Sequence, residues 1–461
     1  MKNILVLGAG LVSRPLVEYL LARTPCHVTL ASRSREEIDG ILGGQSRGIP
    51  VQLELDDSKS LEKLIRAADV VVSLVPYRYH VKIAELAIEH RVPVVTASYV
   101  SPEMRALDDK ARAAGVLILN EIGLDPGIDH MSAMQVIHRV QSTGGKIFHF
   151  SSCCGGLPAQ EANTNPWGYK FSWSPRGVIL AGRNPARYLR HGEVQEIPGE
   201  EIFHHRWPYQ VEGLGLFEIF PNRDALAYIS TYGLEGIENM FRGTIRYRGW
   251  CHTVRSLAKL KMLDDAPRTW KDGATCADFL DELLPNGGGA LVMRLADYLE
   301  VPVNDPLISR LEWTGLLSQR PIPEGPISPL DVLVHRLERL LGYQPWERDM
   351  VVLRHEFLAE WDGRRPEERI ISILVSYGNP DGDSAMSRAV SLPAAIATRH
   401  ILEGDLDLSG VHIPVLPEIY VPVMRELREL GIRCEERAER LVTTPFDGDR
   451  KSGSSLQPFH Q

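Results

Sequence analysis

A glycine-rich turn near the start of the chain has the residue types and spacing to bind a diphosphate. It reads Gly8-Ala9-Gly10-Leu11-Val12-Ser13, a G-x-G-x-x-S pattern between a strand-like run and a helix-like segment. The first glycine permits a tight turn, and the second lets phosphate oxygens approach the N–H groups that begin a helix. Ser13 is small enough for the close helix–strand contact that the third position requires. The pattern predicts dinucleotide binding, with a Rossmann fold that has lost its cofactor as the alternative.

The residues after the second strand-like run indicate which dinucleotide is bound. NAD-binding domains place an acidic residue there, which holds the ribose 2′-hydroxyl. This chain has Ser32-Arg33-Ser34-Arg35 instead, whose hydroxyl and guanidinium groups can donate hydrogen bonds to a 2′-phosphate. We predict NADP(H) rather than NAD(H). A solvated turn ahead of Glu36 and Glu37 is the alternative interpretation.

Three further strand ends should reach the same edge of a parallel sheet, so we expect them to line the cofactor. They are Asp56, the run Leu74-Val75-Pro76-Tyr77 and the run Ala97-Ser98-Tyr99. The Asp56 carboxylate suits the edge of an adenine ring, and a helix N-cap is the alternative role for it.

Asp125 is the first candidate for acid–base chemistry. It stands in Asn120-Glu121-Ile122-Gly123-Leu124-Asp125-Pro126-Gly127-Ile128-Asp129-His130, directly after a strand-like run. The proline and glycine that follow it predict a turn that presents its carboxylate at the strand end, where chemistry occurs in such sheets. The alternative is a cap for the helix that begins near Ile128, a role that suits Asp129 better.

Short apolar runs separated by amphipathic segments must position these residues. Continuous Val, Ile and Leu runs predict a parallel sheet that is covered by helices on both faces. Six such strands in succession predict an N-terminal, doubly wound Rossmann domain of the α/β class. The runs are Ile4–Leu7, His27–Ala31, Val51–Leu55, Asp69–Leu74, Val92–Thr96 and Val116–Asn120.

The rest of the chain predicts a second α/β domain with a mostly antiparallel sheet, and a small helical insertion. Segments such as 244–248 alternate like antiparallel strands, whereas 258–345 has helical segments and no strand run. The stretch 151–175 is rich in Gly, Ser and aromatic residues and suits loops beside a site. Strand patterns return at 349–359 and 370–377, and helical patterns at 391–402 and 419–430.

These patterns predict the following domains: an NADP(H)-binding Rossmann domain of residues 1–123 on which a C-terminal segment of about 390–445 packs, a substrate-binding α/β domain of residues 124–257 and 346–389, a helical subdomain of residues 258–345, and a flexible tail of residues 446–461.

Composition argues against several classes of protein. The 461 residues include 51 basic and 60 acidic ones, a net charge of −9, and no basic run that would attract nucleic acid or a membrane surface. No apolar stretch has the length of a membrane span or a signal peptide. Six cysteines without secreted-domain spacing predict reduced thiols in the cytoplasm. Since no histidine or cysteine pair has metal-ligand spacing, we expect no metal.

Several longer motifs are too specific to follow from a generic Rossmann fold. The most specific is Trp167-Gly168-Tyr169-Lys170-Phe171-Ser172-Trp173-Ser174-Pro175-Arg176-Gly177. The others are Gly123–His130, Gly155–Pro158 followed by Ala162–Asn163, Pro221–Asp224, Arg242–Tyr247, Glu347–Val352 and Leu392–Ala397. Together they resemble the saccharopine reductase family, the glutamate-forming saccharopine dehydrogenases that use NADP+. The similarity extends to about Arg433.

The resemblance implies a reaction in lysine metabolism, in which saccharopine, NADP+ and water interconvert with L-glutamate, 2-aminoadipate 6-semialdehyde and NADPH. By motif, the residues that it implies for NADP(H) binding, besides Gly8 and Gly10, are Leu11, Val12, Ser13, Arg14, Ser32, Arg33, Ser34, Asp56, Val75, Ser98, Leu124, Ser174, Pro175 and Arg176. Those that it implies for saccharopine binding are Ser98, Tyr99, Asp125, Arg223, Thr244, Ile245 and Arg246.

The residue types suit that chemistry. Saccharopine carries three carboxylates, and Arg223 and Arg246 can each bind a carboxylate through paired, charge-assisted hydrogen bonds. Surface ion pairs are the alternative role for each arginine. The candidates for proton transfer are Asp125, Tyr99 and Cys153, with Asp125 first because it can attract a cationic amine and then act as a base.

Two other functions compete with this interpretation. The arginines would also suit a related imine reductase, such as one that makes carboxylated polyamines. A non-catalytic regulator that binds NADP(H) is the second alternative, although the presence of Asp125, Arg223 and Arg246 argues against it. The expected partners are small molecules, with a homodimer as the expected assembly. The sequence leaves the direction of the reaction open.

Overall fold

The structure, a computed structural model, describes residues 1–441, and for residues 364–367 only the backbone. Its strands are β1 Asn3–Leu7, β2 His27–Ser32, β3 Gly48–Gln52, β4 Val70–Ser73, β5 Val94–Val95, β6 Leu117–Leu119, β7 Lys146–Pro158, β8 Ala186–Arg190, β9 Glu193–Ile197, β10 Trp207–Val211, β11 Gly215–Pro221, β12 Asn239–Arg246, β13 Asp349–Trp361, β14 Arg364–Tyr377, β15 Gly410–His412 and β16 Glu435–Arg440.

Its helices are α1 Arg14–Arg23, α2 Arg35–Leu42, α3 Ser58–Arg66, α4 His80–Glu89, α5 Pro102–Arg105, α6 Asp108–Ala114, α7 Ile128–Ser142, α8 Pro175–Leu180, α9 Tyr228–Thr231, α10 Trp250–Lys259, α11 Cys276–Leu283, α12 Leu291–Leu299, α13 Pro306–Trp313, α14 Pro329–Leu340, α15 Ala385–Glu403 and α16 Pro417–Glu429.

The chain divides into two compact units. The first unit consists of Met1–Ile147, Leu353–His355 and Ala359–Arg440, and the second of Phe148–Val352 and Glu356–Leu358, with Leu441 as its last described residue. The predicted domain boundaries at residues 123, 257, 345 and 389 stay predictions, and the predicted tail 446–461 lies outside the described residues.

A parallel sheet of seven strands forms the core of the first unit. Its order is β15-β6-β5-β4-β1-β2-β3, and every neighbouring pair is parallel. The segment β3-β2-β1-β4-β5-β6 is the order of a doubly wound dinucleotide-binding fold, which confirms the predicted Rossmann domain. The continuous apolar runs are buried as expected, since β1 and β4 are almost wholly inaccessible to solvent.

Two details of the predicted sheet are wrong. The third strand covers Gly48–Gln52 instead of 51–55. Its hydrogen-bonded register with β2 sets these bounds, since Val28 pairs with Gly48 and Ser32 pairs with Gln52. The sheet also has a seventh strand, β15, which extends it beyond β6. With three residues, β15 is too short to carry a periodic signal.

Helices α15 and α16 also belong to the first unit, where α15 packs on α1. Several small residues of α15, among them Ala394 and Ala395, are fully buried. Tyr19 of α1 donates a hydrogen bond to Glu426 of α16, and Arg399 of α15 pairs with the same carboxylate at 2.6 Å. The C-terminal helices are therefore part of the structure that supports the nucleotide-binding sheet.

The second unit contains a mixed sheet, which confirms the mostly antiparallel sheet that the sequence predicts. Strands β10, β11 and β12 are antiparallel neighbours, and β8 pairs with β9 and β12 in the same sense. Strand β7 is parallel to β12, with Asn239 opposite His149 and Thr244 opposite Cys154. Residues 258–345 contain α11 to α14 and no strand, as predicted.

The prediction of loops over residues 151–175 is wrong for its first third. Residues 151–158 belong to strand β7, and every residue of β7 after Lys146 is buried. Small residues are required there, since a Cβ on Gly155 would lie 2.5 Å from the carbonyl oxygen of Ile245. A glycine- and serine-rich composition reflects close packing of strands here rather than a loop.

In the described part of the chain, no helix is both long enough and apolar enough to cross a membrane.

Candidate functional site

The glycine-rich turn of the first unit has the shape that a diphosphate requires. Gly8 has a φ of 105°, and a Cβ on it would lie 3.0 Å from the carbonyl oxygen of Leu74, so this position needs glycine. A Cβ on Gly10 would meet no atom within 4 Å, so this residue borders open space. Ser13 is fully buried and donates a hydrogen bond to the Gly8 carbonyl at 3.0 Å. The turn therefore combines a rigid base with an open face before α1, as phosphate binding needs.

The arginines after β2 differ in their surroundings. Arg35 forms an ion pair with Asp39 at 2.8 Å, and the Ser34 hydroxyl accepts a hydrogen bond from the Glu37 N–H and so caps α2. Arg33 is exposed and forms no ion pair within the described residues. Arg33, with Ser32 at the end of β2, is therefore the group that fits a 2′-phosphate.

Other residues predicted at the cofactor are distributed around the same sheet edge. Asp57, and not Asp56, caps α3 by accepting from the Ser60 N–H at 3.2 Å, which leaves the exposed Asp56 for another role. Arg14 forms an ion pair with Asp383 at 2.7 Å. Further predicted residues are Leu11, which is exposed, Val12 and Val75, which are half-buried, and Leu124, which is buried.

Asp125 lies in the turn between β6 and α7, next to Tyr99 of the segment that follows β5. It is half-buried, and the Tyr99 hydroxyl donates a hydrogen bond to its Oδ1 at 3.2 Å. Asp129, as expected, binds the start of α7, because its Oδ1 accepts from the N–H groups of Gly127 and His130 at 2.6 and 2.9 Å. Asp129 therefore takes the capping role that was the alternative for Asp125. A carboxylate beside a phenol can bind a cationic amine and transfer protons.

Glu121 holds together the segments next to Asp125 through hydrogen bonds, a role that was not predicted from the sequence. Its carboxylate accepts hydrogen bonds from the backbone N–H of Val100 at 3.0 Å and from His130 at 2.8 Å, and all three are in the first unit. Glu121 also has a φ of 56°, which residues other than glycine rarely adopt. The one signal in the sequence is a glutamate two residues after a strand. Nothing in the sequence shows whether its carboxylate is buried or exposed to solvent.

Arg246, at the end of β12, is a buried cation of the second unit. Arg246 is only 6% exposed. Its guanidinium carbon lies 5.1 Å from the centre of the Tyr169 ring and 5.6 Å from the centre of the Trp250 ring. One nitrogen donates to the Ile245 carbonyl at 2.8 Å, whereas Nε has no hydrogen-bond partner within the described residues.

No acidic group of the described chain forms an ion pair with Arg246. Glu218 lies directly opposite on β11, but its carboxylate accepts from the Cys251 N–H at 2.7 Å and from Arg206 at 3.3 Å, and it forms no ion pair with Arg246. A buried cation is costly without an anion, and cation–π contacts offset that cost in part. The geometry is that of a prepared carboxylate site.

The two faces of β12 separate the other candidates of the second unit. Thr244 shares a face with Arg246, and its register partner on β7 is Cys154. Cys153 pairs with Gly243 instead, and its sulfur would lie 3.1 Å from a Cβ on Gly243, so it points to the opposite face with Ile245. Of the two neighbouring thiols, Cys154 is the one on the Arg246 face. None of the six cysteines forms a disulfide in the described part of the chain, and their reduced state stays a prediction.

Three predicted residues of the second unit have mainly structural surroundings. Ser174 caps α8 by accepting from the Gly177 N–H at 3.2 Å, and Pro175 begins that helix. Arg176 forms an ion pair with Asp331 of α14. Arg223, by contrast, is exposed in the turn after β11 with a φ of 55°.

A group of potential metal ligands occurs far along the chain. Among residues 1–441, His400, Glu403 and Asp405 bring ligand atoms within 4.8 Å of one another. His400 already shares a hydrogen bond with Asp405 at 2.8 Å, and Glu403 pairs with Arg399 at 2.7 Å. The expectation of an enzyme without a metal stays a prediction.

Comparison with known proteins accounts for both units. Residues 4–119 match the saccharopine dehydrogenase NADP-binding domain, and residues 123–432 match the saccharopine dehydrogenase C-terminal domain. The chain belongs to the saccharopine dehydrogenase family. One member, "Saccharopine dehydrogenase [NADP(+), L-glutamate-forming]" of Saccharomyces cerevisiae, is 38% identical over 451 residues, which cover 95% of this chain and 99% of the relative.

Other known proteins are similar to nearly the whole of this chain, although the extent of the match on their side differs. The enzyme with that name in Schizosaccharomyces pombe is 36% identical over 95% of this chain and 99% of its own length. The solved structure of apo saccharopine dehydrogenase (L-Glu forming) from Saccharomyces cerevisiae aligns with a TM-score of 0.85 and 36% identity, and covers 95% of this chain and 100% of that one. The mitochondrial alpha-aminoadipic semialdehyde synthase of Bos taurus is 34% identical over 94% of this chain but only 47% of its own length.

Proposed function

We propose that this member of the saccharopine dehydrogenase family catalyses the NADP-dependent interconversion of saccharopine and water with L-glutamate and 2-aminoadipate 6-semialdehyde. Full-length similarity to relatives named as NADP+-dependent, L-glutamate-forming enzymes supports the reaction. The observation that carries the substrate class is Arg246, a buried guanidinium without an acidic partner among the described residues.

The cofactor is held by residues of the first unit. The open face at Gly10 and the start of α1 receive the diphosphate, and Ser32 with Arg33 binds the 2′-phosphate. Asp56 accepts from the adenine edge, and Val75, Ser98 and Leu124 line the remainder. NADP(H) held by these residues would supply the hydride acceptor or donor of the reaction. Arg14 completes the proposed set in the first unit. The roles that the resemblance implies for Ser174, Pro175 and Arg176 stay a prediction, since these residues lie in the second unit, where Ser174 and Pro175 begin α8 and Arg176 pairs with Asp331.

Substrate carboxylates are bound by Arg246 and Arg223. Arg246 offers its unpartnered Nε from a fixed position, because two aromatic rings and a carbonyl hold its plane. Thr244 on the same face of β12 adds a hydroxyl donor, and Ile245 supplies backbone groups. Buried, pre-positioned donors lose little conformational entropy on binding, which favours affinity for a carboxylate.

Proton transfer is assigned to Asp125. Its carboxylate attracts the secondary ammonium of saccharopine, accepts its proton and thereby exposes the nitrogen lone pair that drives hydride loss from the adjacent carbon. The resulting imine is attacked by water, and the carbon–nitrogen bond then breaks to release glutamate. Tyr99, which donates to Asp125, orients that carboxylate and is the second candidate. Cys153 is the weakest candidate, since it lies on the face of β7 away from Arg246.

Steady-state assays test the proposal. Saccharopine with NADP+ should produce NADPH, and the purified chain should oxidise NADPH when glutamate and 2-aminoadipate 6-semialdehyde are both supplied. A polyamine in place of glutamate is the control for a related imine reductase. Binding of NADPH without turnover of any pair would identify a regulator and contradict the proposed function.

The cellular setting and assembly complete the proposal. We infer a cytoplasmic protein, which six cysteines without a disulfide among the described residues support, and a homodimer, the common state of two-domain reductases. Light scattering coupled to gel filtration distinguishes a dimer from the 51.5 kDa monomer.

A further inference from the structure

A histidine joins two serines at the ligand edge of the nucleotide-binding sheet. His80, the first residue of α4, is buried, with Nδ1 at 2.9 Å from the Ser73 hydroxyl and Nε2 at 2.8 Å from the Ser98 hydroxyl. Ser73 ends β4, and Ser98 lies three residues after β5. All three residues are in the first unit. Both ring nitrogens are thus engaged, and His80 connects two adjacent strand ends.

The surroundings keep His80 neutral. Its hydrogen-bond partners in the described chain are two hydroxyls and no carboxylate. The positive end of α4 also disfavours a proton on a residue of its first turn. Burial lowers the pKa of His80 to about 4, which agrees with this geometry. A neutral imidazole has one N–H donor and one acceptor nitrogen, so one serine must donate to it and the other must accept from it.

Burial of Ser73 decides which serine donates. Ser73 is 1% exposed, and His80 is its side-chain partner among residues 1–441. If Nδ1 carried the proton, the Ser73 O–H would be buried without an acceptor, at a cost that proteins usually avoid. Ser73 therefore donates to Nδ1, and the protonated Nε2 donates to Ser98.

This arrangement leaves the Ser98 proton for another acceptor. The Ser98 oxygen accepts from His80, and its side chain has no further hydrogen-bond partner in the described part of the chain. Ser98 is half-buried at the carboxyl end of the sheet, where Rossmann folds bind their ligands. A hydroxyl whose oxygen is fixed by a donor presents its hydrogen to an acceptor that the ligand supplies.

We propose that His80 is a positioning residue that holds Ser98 as a hydrogen-bond donor to an oxygen acceptor of the bound ligand, a carboxamide or carboxylate oxygen. The inference rests on the proposed function, which supplies both kinds of acceptor: the nicotinamide carboxamide and a carboxylate of saccharopine. His80 itself takes no part in proton transfer, since both of its nitrogens are occupied. Nothing in the sequence around His80 suggests this role.

Two amide substitutions at position 80 separate the two hydrogen bonds. The amide of His80→Gln reaches the position of Nε2 and can donate to Ser98, whereas the shorter amide of His80→Asn reaches the position of Nδ1 and can contact only Ser73. These variants are compared with Ser98→Ala, with His80→Asn combined with Ser98→Ala, and with His138→Gln, a half-buried histidine that bonds Tyr420 in the same unit. The readouts are the dissociation constant of NADPH, the KM of saccharopine and the thermal midpoint.

The expected pattern is non-additive. Ser98→Ala and His80→Asn each weaken the same constant about two- to tenfold, the range of one hydrogen bond. The combined variant matches Ser98→Ala alone, and His80→Gln and His138→Gln stay within about twofold of wild type. A weaker NADPH constant identifies the carboxamide as the acceptor, whereas a higher KM with unchanged NADPH binding identifies a carboxylate.

Several results would overturn the proposal. Additive losses in the combined variant, equal losses for His80→Asn and His80→Gln, or unchanged constants in Ser98→Ala would each do so. A second measurement does not need a substitution at His80 to fold: 15N NMR of the wild-type imidazole, assigned through its change in Ser98→Ala, must show the proton on Nε2. If wild type binds NADPH but does not turn over saccharopine, the proposed function fails, and the NADPH constants alone decide the role of His80.

Discussion

The two units differ in the surroundings of the arginine that each is proposed to use for binding an anionic group. In the first unit the cation proposed for the 2′-phosphate, Arg33, is exposed on a turn, and the buried polar groups, such as Ser73 and His80, satisfy one another as neutral groups. In the second unit the cation Arg246 is buried against aromatic rings without a protein anion in the described residues.

This difference indicates which of the two arginines should contribute more to the binding of its ligand. An exposed arginine is already hydrated, so it gains only a modest amount of free energy when it binds a phosphate. A buried guanidinium has already lost its water, so a carboxylate that reaches it restores a full set of charge-assisted hydrogen bonds. We therefore expect larger losses from changes at the buried charge than at the exposed one.

The largest effect is expected at Asp125. It belongs to the first unit, but its proposed role is proton transfer and not cofactor binding alone. Asp125→Asn removes the proposed base and should lower kcat by about 10² to 10⁴ with saccharopine while NADPH binding is retained. Asp109→Asn, an exposed carboxylate on α6, is the matched control. Turnover near the wild-type rate in Asp125→Asn would remove Asp125 from the mechanism.

Arg246→Met should raise the KM of saccharopine about 100-fold, because paired charge-assisted hydrogen bonds are worth about 3 kcal/mol. NADPH binding should not change, and the thermal midpoint should hold or rise, since a buried unpaired charge is replaced by an apolar side chain of similar length. Steady-state kinetics, NADPH titration and thermal melting measure the three quantities.

Arg248→Met, at an exposed residue just beyond β12, is the control for Arg246. An unchanged KM together with a lower thermal midpoint would mean that Arg246 serves stability and not substrate binding.

The neutral cluster of the first unit predicts a dependence of stability on pH. The pKa of His80 is lowered from 6.5 to about 4 by burial, so between these values the unfolded chain binds more protons than the folded one. The His80 contribution is therefore complete above about pH 6.5 and falls on acidification toward about pH 4. At about pH 5 the loss is about 2 kcal/mol.

Urea unfolding at about pH 7 and about pH 5 tests this dependence. In His80→Gln, which cannot take up a proton in this range, the loss of unfolding free energy on acidification should be smaller by about 2 kcal/mol. An equal loss in wild type and variant would show that His80 titrates normally in the folded protein.

The smallest effect is expected at the exposed charge. Arg33→Gln should raise the KM of NADP+ about tenfold and leave that of NAD+ unchanged, which corresponds to about 1.4 kcal/mol. Arg35→Gln is the control, because Arg35 is already paired with Asp39 and should matter less. Equal effects of the two substitutions would show that the turn acts through its overall charge.

The parts of the fold that could be predicted are those with strong local signals. The continuous apolar runs of β1 and β4 and the glycine turn before α1 predicted the Rossmann sheet, because burial on both faces leaves a clear pattern. Strand β15 has three residues and no such pattern. Strand β7 was mistaken for loop in part, since Gly155 is required by close packing against β12 and not by turn formation.

In the candidate site, only the residues that belong to recognisable sequence motifs could be predicted. Motif similarity identified Arg246 and Asp125, but the isolation of Arg246 depends on Glu218 being engaged by Cys251 and Arg206, which no single segment reveals. The roles of Glu121 and His80 arise from contacts between strand ends that are distant in sequence.

The most direct test of the account is a single comparison of initial rates, with saccharopine and either NADP+ or NAD+ as substrates of the wild-type chain. The account predicts NADPH formation that requires saccharopine and a clear preference for NADP+. Absence of turnover, or a preference for NAD+, would contradict it.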